Sequence, residues 1–210
     1  MGSNGRVSYC VAVSDELLGD GAPVPFQGGL AAGFARAAEL GFDSVELHIR
    51  NPASISPSTL DELCAAHGLR IAALGTGLEY SLNGNSFTSP DPQVRRTTFE
   101  RFVQFIELAA RCDAVVFLGL CRGRAPAYRE VGAYLDLLAE ELRPIAAFAA
   151  ERRVSLGLEP IVFYLTNLLN TTSETLAFLA RPAGSPTCTS PTATGATRAA
   201  APSTTIWSPR

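Results

Sequence analysis

Short apolar runs alternate along the chain with longer stretches that repeat an apolar residue every three or four positions. Arg6–Val13, the run ending at His48 (SVELH), Arg70–Gly75, Asp113–Leu118 and Val154–Pro160 have strand length and character. Between them, Gly29–Leu40 is Ala-rich and helical. A second helix is predicted from the cap candidate Ser56 to Ala66, with Pro57 in its first turn and His67-Gly68 closing it. A third spans Gln93–Arg111 on the stripe Phe99, Phe102, Val103, Ile106 and Ala110. A fourth spans Val131–Arg152 and should kink at Pro144. A fifth runs over Thr172–Ala180, capped by Thr171 or Thr172, with Glu174 in its first turn. Thr76–Pro92 reads as a long polar loop.

Strand and helix therefore alternate five times. That order predicts an α/β fold: a parallel sheet with helices outside, either doubly wound or a (β/α)₈ barrel. No GxGxxG follows the first strand and no GxxxxGK[ST] occurs, which disfavours nucleotide-binding folds. In a barrel the chemistry sits at the C-terminal ends of the strands. Polar residues gather there: His48 and Arg50, Thr76 and Glu79, Arg122, and Glu159.

Composition narrows the function. The chain has 210 residues, a net charge of -3, and 17 basic residues, all of them Arg. An acidic balance argues against a nucleic-acid partner. No apolar run is long enough to span a membrane, and no secretory leader pattern opens the chain. The five cysteines are scattered, odd in number and without a CxxC pair, so a cytoplasmic, reducing setting is expected.

Glu159 ends an otherwise apolar strand, where a carboxylate can bind a hard cation or move a proton. Pairing with an Arg is the structural alternative. His48 also ends a strand, and Glu46 shares its face, with an Arg inside the sheet as the alternative partner of Glu46; a hydrogen-bonded rim histidine is the plainer reading. His67 belongs to a helix end. Arg122 could hold a phosphate or a sugar hydroxyl, against the alternative of a solvated loop Arg. Cys121 beside it has no identifiable base to activate it.

Four segments then carry a resemblance: GFDSVELHIRNP (Gly41–Pro52), LGTGLEY (Leu74–Tyr80), TSPDPQVRR (Thr88–Arg96) and GLEPIVFYLTNLLNT (Gly157–Thr171). Together they resemble the sugar phosphate isomerase/epimerase family of xylose isomerase-like barrels over about residues 6–180. The resemblance implies a divalent metal, Mn²⁺ or Mg²⁺, held by two Glu, one Asp and one His. It also implies proton transfer through an enediol, on a small sugar or sugar phosphate. Glu159 matches the first metal-binding and catalytic Glu, and His48, Glu79 and Arg122 are the substrate-binding candidates. The family pattern after that Glu is approximately E-P-x-N-R-x-E-T-N-x-x-N-T. Pro160, Tyr164, Thr166, Asn167, Asn170 and Thr171 fit it, while Val162, Phe163 and Leu165 stand where Asn, Arg and Glu are expected.

From Arg181 the chain becomes Ala, Pro, Ser, Thr, Gly and Arg with no apolar periodicity. One expectation is a disordered tail. The sharper one is a lost reading frame: from the last base of Pro186, the shifted codons can spell HVHLADSNRRDPGRG, which resembles the family's seventh-strand motif. The expected architecture is thus an incomplete (β/α)₈ barrel over residues 1–180, with a frame-shifted tail over 181–210. Such a chain would be an impaired isomerase, open at its edges and prone to associate with itself. The alternatives are a non-catalytic barrel fragment, or an endonuclease-IV-like metal hydrolase, which would need many His ligands where this chain has two.

Overall fold

The computed structural model describes residues 7–181 and the backbone of residues 205–207. Five strands run parallel, each paired with its predecessor: β1 (Cys10–Ser14), β2 (Ser44–His48), β3 (Arg70–Gly75), β4 (Val115–Phe117) and β5 (Leu156–Leu158). The helices are α1 (Leu30–Glu39), α2 (Pro57–His67), α3 (Gly77–Ser81), α4 (Pro92–Cys112), α5 (Val131–Glu151) and α6 (Thr172–Leu179). This arc of parallel strands with outer helices is a partial (β/α) barrel. A short strand β6 (Thr205–Trp207) lies antiparallel beside β5. Residues 182–204 and 208–210, on which most of the expected frame-shifted, disordered tail falls, lie outside the described residues. Among the described residues no helix is long and apolar enough to cross a membrane.

The two faces of the sheet differ. Side chains alternate along each strand, and the outward set (Val13, Val45, Leu47, Leu74, Val116 and Leu158) is buried against Phe34, Leu60, Phe102, Phe105, Ile106, Leu138 and Ile145 of the helices. Each such side chain contributes about 1.5–3 kcal/mol on burial, so the fold is held from the helix side. The register Ala12↔Glu46↔Ala73, Ser14↔His48↔Gly75 and Gly75↔Phe117↔Gly157 places the other set on the inner face. Several of these, Glu46, His48, Val115 and Phe117 among them, stay partly exposed.

Local signals account for most boundaries. Gly68 caps α2 in the left-handed region at φ 66°. Asp91, rather than a residue nearer Gln93, caps α4, its side chain accepting from the Gln93 N–H at 2.8 Å. At α6 the Thr171–Glu174 capping box resolves the choice of cap in favour of Thr171. Ser56 does occupy the N-cap of α2, but without a capping bond; its hydroxyl lies 2.7 Å from that of Ser58.

Two expectations are corrected. The loop after β3 is not wholly irregular: it holds α3, and Asn85, Ser86, Phe87 and Thr88 are buried. Phe87 is drawn into the core by the Phe102 ring, with centroids 4.7 Å apart in an edge-on arrangement. The strands β4 and β5 are also shorter than their apolar runs, because only three residues of each form the strand.

Candidate functional site

Glu46, His48 and Glu159 share the mouth of the inner face. The His48 Nε2 stands 2.9 Å from a Glu46 carboxylate oxygen, so Glu46 pairs with this His and not with an Arg. The His48 ring lies directly on Gly75, where a Cβ would come within 2.6 Å of its Cε1. Glu159 follows β5, two residues after inward-facing Gly157, and is exposed. Its carboxyl is raised above the ordinary range, first by partial loss of water and then by the charge of Glu46. Arg122 and His48 pull it the other way. A carboxyl that holds its proton more tightly than usual, at a strand end in a barrel mouth, is suited to proton transfer.

Arg122 and Glu79, the other expected substrate contacts, lie inside the fold. Arg122 is fully buried. Its guanidinium donates to the carbonyls of Gly119 (2.9 Å), Leu168 (3.4 Å), Leu169 (3.2 Å) and Glu159. Burial lowers its pKa to about 10, against the opposing pull of Glu159, and it stays charged at neutral pH. Glu79 is also fully buried. One of its oxygens accepts from Asn83 (3.0 Å) and Asn85 (2.6 Å), while the other lies 3.4 Å from the Arg101 Nε. Both residues are thus spent on holding loops together. Cys121 is no nucleophile: it is buried, its thiol donates to the Thr76 carbonyl at 3.3 Å, and desolvation pushes its pKa up to about 12.

A polar belt crosses the tops of β3, β4 and β5. The Thr76 hydroxyl donates to the Phe117 carbonyl at 2.7 Å, and that of Thr88 to the Arg122 carbonyl at 2.8 Å. Asn167 makes a two-way pair with the backbone of Ala125, both bonds 2.9 Å, and the Thr166 hydroxyl donates to Gly123 at 2.7 Å. Asn170 closes the loop onto the carbonyls of Ile161 (2.6 Å) and Thr166 (2.8 Å). By contrast Val162, Phe163, Tyr164 and Leu165 are exposed by 46%, 68%, 67% and 46%, large for apolar side chains. The i, i+2 spacing that puts Glu46 and His48 on one strand face is the signal for this pair.

Among the described residues no group of three or more His, Cys, Asp or Glu is placed to hold a metal ion. Glu159 is the single family-matched ligand described, so these residues do not complete the manganese or magnesium site that the resemblance implies.

The fold and this strand-end carboxylate define a class. The family model described as a xylose isomerase-like TIM barrel matches residues 34–188, and the chain belongs to that family. A ketose 3-epimerase of Arthrobacter globiformis is 28% identical over 72% of this chain and 52% of its own length. An L-ribulose 3-epimerase of Methylomonas sp. (strain DH-1) is 27% identical over the same shares of each chain. The chain thus spans about half the length of the curated relatives it matches. The solved structure of a Methylomonas sp. D-allulose 3-epimerase in complex with D-allulose superposes with a TM-score of 0.63 at 24% identity, over 83% of this chain and 58% of that one.

Proposed function

We propose that residues 1–180 are the first part of a ketose 3-epimerase-type sugar isomerase/epimerase, and that this chain by itself is inactive or impaired. One observation carries the reading: Glu159 stands at the end of β5 on the inner face, with a raised affinity for its proton. The curated relatives support ketoses as the substrate class.

Epimerisation beside a carbonyl removes a proton from one face of a carbon and returns one to the opposite face, through an enediol. A single carboxylate can serve only one face. Glu159 can take the proton and give it back where it came from, which exchanges the hydrogen without inverting the carbon. With no second family-matched Glu among the described residues, turnover should fall by about 10²–10⁴-fold. The low affinity for Mn²⁺ or Mg²⁺ expected from one ligand deepens the loss.

The test is incubation of the chain with D-fructose and with D-allulose in deuterated buffer containing manganese. Slow deuterium entry at C3 without net formation of the epimer is expected, and Glu159→Gln should abolish it. Epimer formation at the rate of a complete epimerase would overturn the assignment.

Three further parts belong to the reading. The tail from about residue 181 is family sequence translated out of frame; sequencing the gene decides this, since an in-frame codon series with no family motif in either shifted frame excludes it. The cytoplasm is the proposed compartment, which suits the free Cys10, Cys64, Cys112 and Cys121. The edge of β1, bridged at Val13 by Phe26 but by no neighbouring strand among the described residues, and the partly exposed inner face favour self-association, and a monodisperse monomer in light scattering would contradict that.

A further inference from the structure

We propose that Arg122 is the positioning residue for Glu159: it grips the β5–α6 loop from behind and so fixes the direction in which the Glu159 carboxylate is presented. The inference concerns the geometry of the proposed site and deepens that reading.

A buried guanidinium normally meets a carboxylate. The hydrogen bonds of Arg122 go instead to main-chain carbonyls, and they come from both sides of the gap between two loops. Gly119 belongs to the turn after β4, and Glu159, Leu168 and Leu169 to the two ends of the loop after β5. The bond from Nη2 ends on the carbonyl of Glu159 itself, so the grip falls on the peptide unit from which the carboxylate projects.

The far end of the loop needs such a grip. Leu169 sits at φ 58°, a left-handed conformation that a branched side chain adopts under strain. Its carbonyl accepts both the Ile161 N–H (3.2 Å) and Arg122 Nη1 (3.2 Å). One planar fork therefore holds the start and the end of the loop at a fixed spacing. A lysine, with a single point of charge and no fork, could not span these acceptors.

The neighbouring Asn167 supplies the control. It ties the same two loops together through Ala125, but it does not touch Glu159. If Arg122 merely cements the loops, losing either residue should disturb Glu159 alike.

The experiment follows the Glu159 side-chain carboxyl by NMR in the full chain, labelled with carbon-13 at glutamate carboxyls and assigned with Glu159→Gln. In Arg122→Lys the Glu159 resonance is expected to shift from its position in the unaltered chain, while in Asn167→Ala it stays in place. A folded Arg122→Lys protein with an unmoved Glu159 resonance overturns the proposal, and so does an equal displacement in Asn167→Ala. Should Arg122→Lys fail to fold, Arg122→Lys with Leu169→Gly relieves the strained position and the same resonance is read. In the deuterium-exchange assay, Arg122→Lys should lower the maximal rate about 10²-fold with little change in KM, the signature of a misplaced group. If the unaltered chain exchanges no ketose proton, the proton-transfer role of Glu159 in this chain fails while the resonance still decides the role of Arg122.

Discussion

Residues 166–171 and residues 162–165 are neighbours in one loop, yet they meet opposite surroundings. Thr166, Asn167, Asn170 and Thr171 match the family pattern, and each is tied to the scaffold by side-chain hydrogen bonds: the first three to backbone of the β4 and β5 loops, Thr171 to the start of α6. Val162, Phe163 and Leu165 depart from the pattern, and all three face solvent. Removing the tied side chains would leave buried backbone groups without partners, whereas Tyr164, which also fits the pattern, is as exposed as its neighbours. Positions that shape nothing can change without unfolding the chain.

That contrast can be broken by mutation. Asn167→Ala should have the largest effect, since it orphans both the N–H and the carbonyl of Ala125; a loss of about 3 kcal/mol is expected in urea unfolding. A change below about 1 kcal/mol would mean that the loop is not tied as described. Thr171→Ala removes the cap of α6 and should cost about 1 kcal/mol by the same measurement. Restoring the family residues with Val162→Asn and Phe163→Arg should alter stability by no more than about 0.5 kcal/mol, so a large destabilisation would show that these side chains are structural after all.

The smallest effect is pH-dependent and falls on Glu159. Its folded pKa is raised, so the stability it contributes is fully present below the ordinary carboxylate range and is lost as pH rises through the raised value. Glu159→Gln should flatten that decline in a series of unfolding curves from pH 4 upward. An unchanged profile would place the Glu159 carboxyl in ordinary solvent.

The order of strands and helices was legible because apolar runs and helical stripes are the direct imprint of burial against one face. Val13, Leu47, Leu74, Val116 and Leu158 are such imprints. The family resemblance rested on the same legible segments. The short α3 was hidden inside a polar loop, although Thr76 and Glu79 stand at the spacing of a capping box; what orders that loop is the packing of Phe87, a tertiary effect. The roles of Arg122 and Glu79 were not legible. A charged residue after a strand faces water or ligand in most barrels, and only the arrangement of loops around it shows when it has turned inward. Glu159 differs because strand alternation carries it into the mouth.

Each strand in this sheet pairs with the one that precedes it in the chain, and each helix is laid down before the next strand is needed. An assembly of that kind suits vectorial synthesis. As a ribosome releases β2, its only required neighbour, β1, is already available, and the same holds through β5. The short sequence separation of successive partners keeps loop closure inexpensive at every step. The nascent chain can therefore reach the arc described here as soon as β5 has been released.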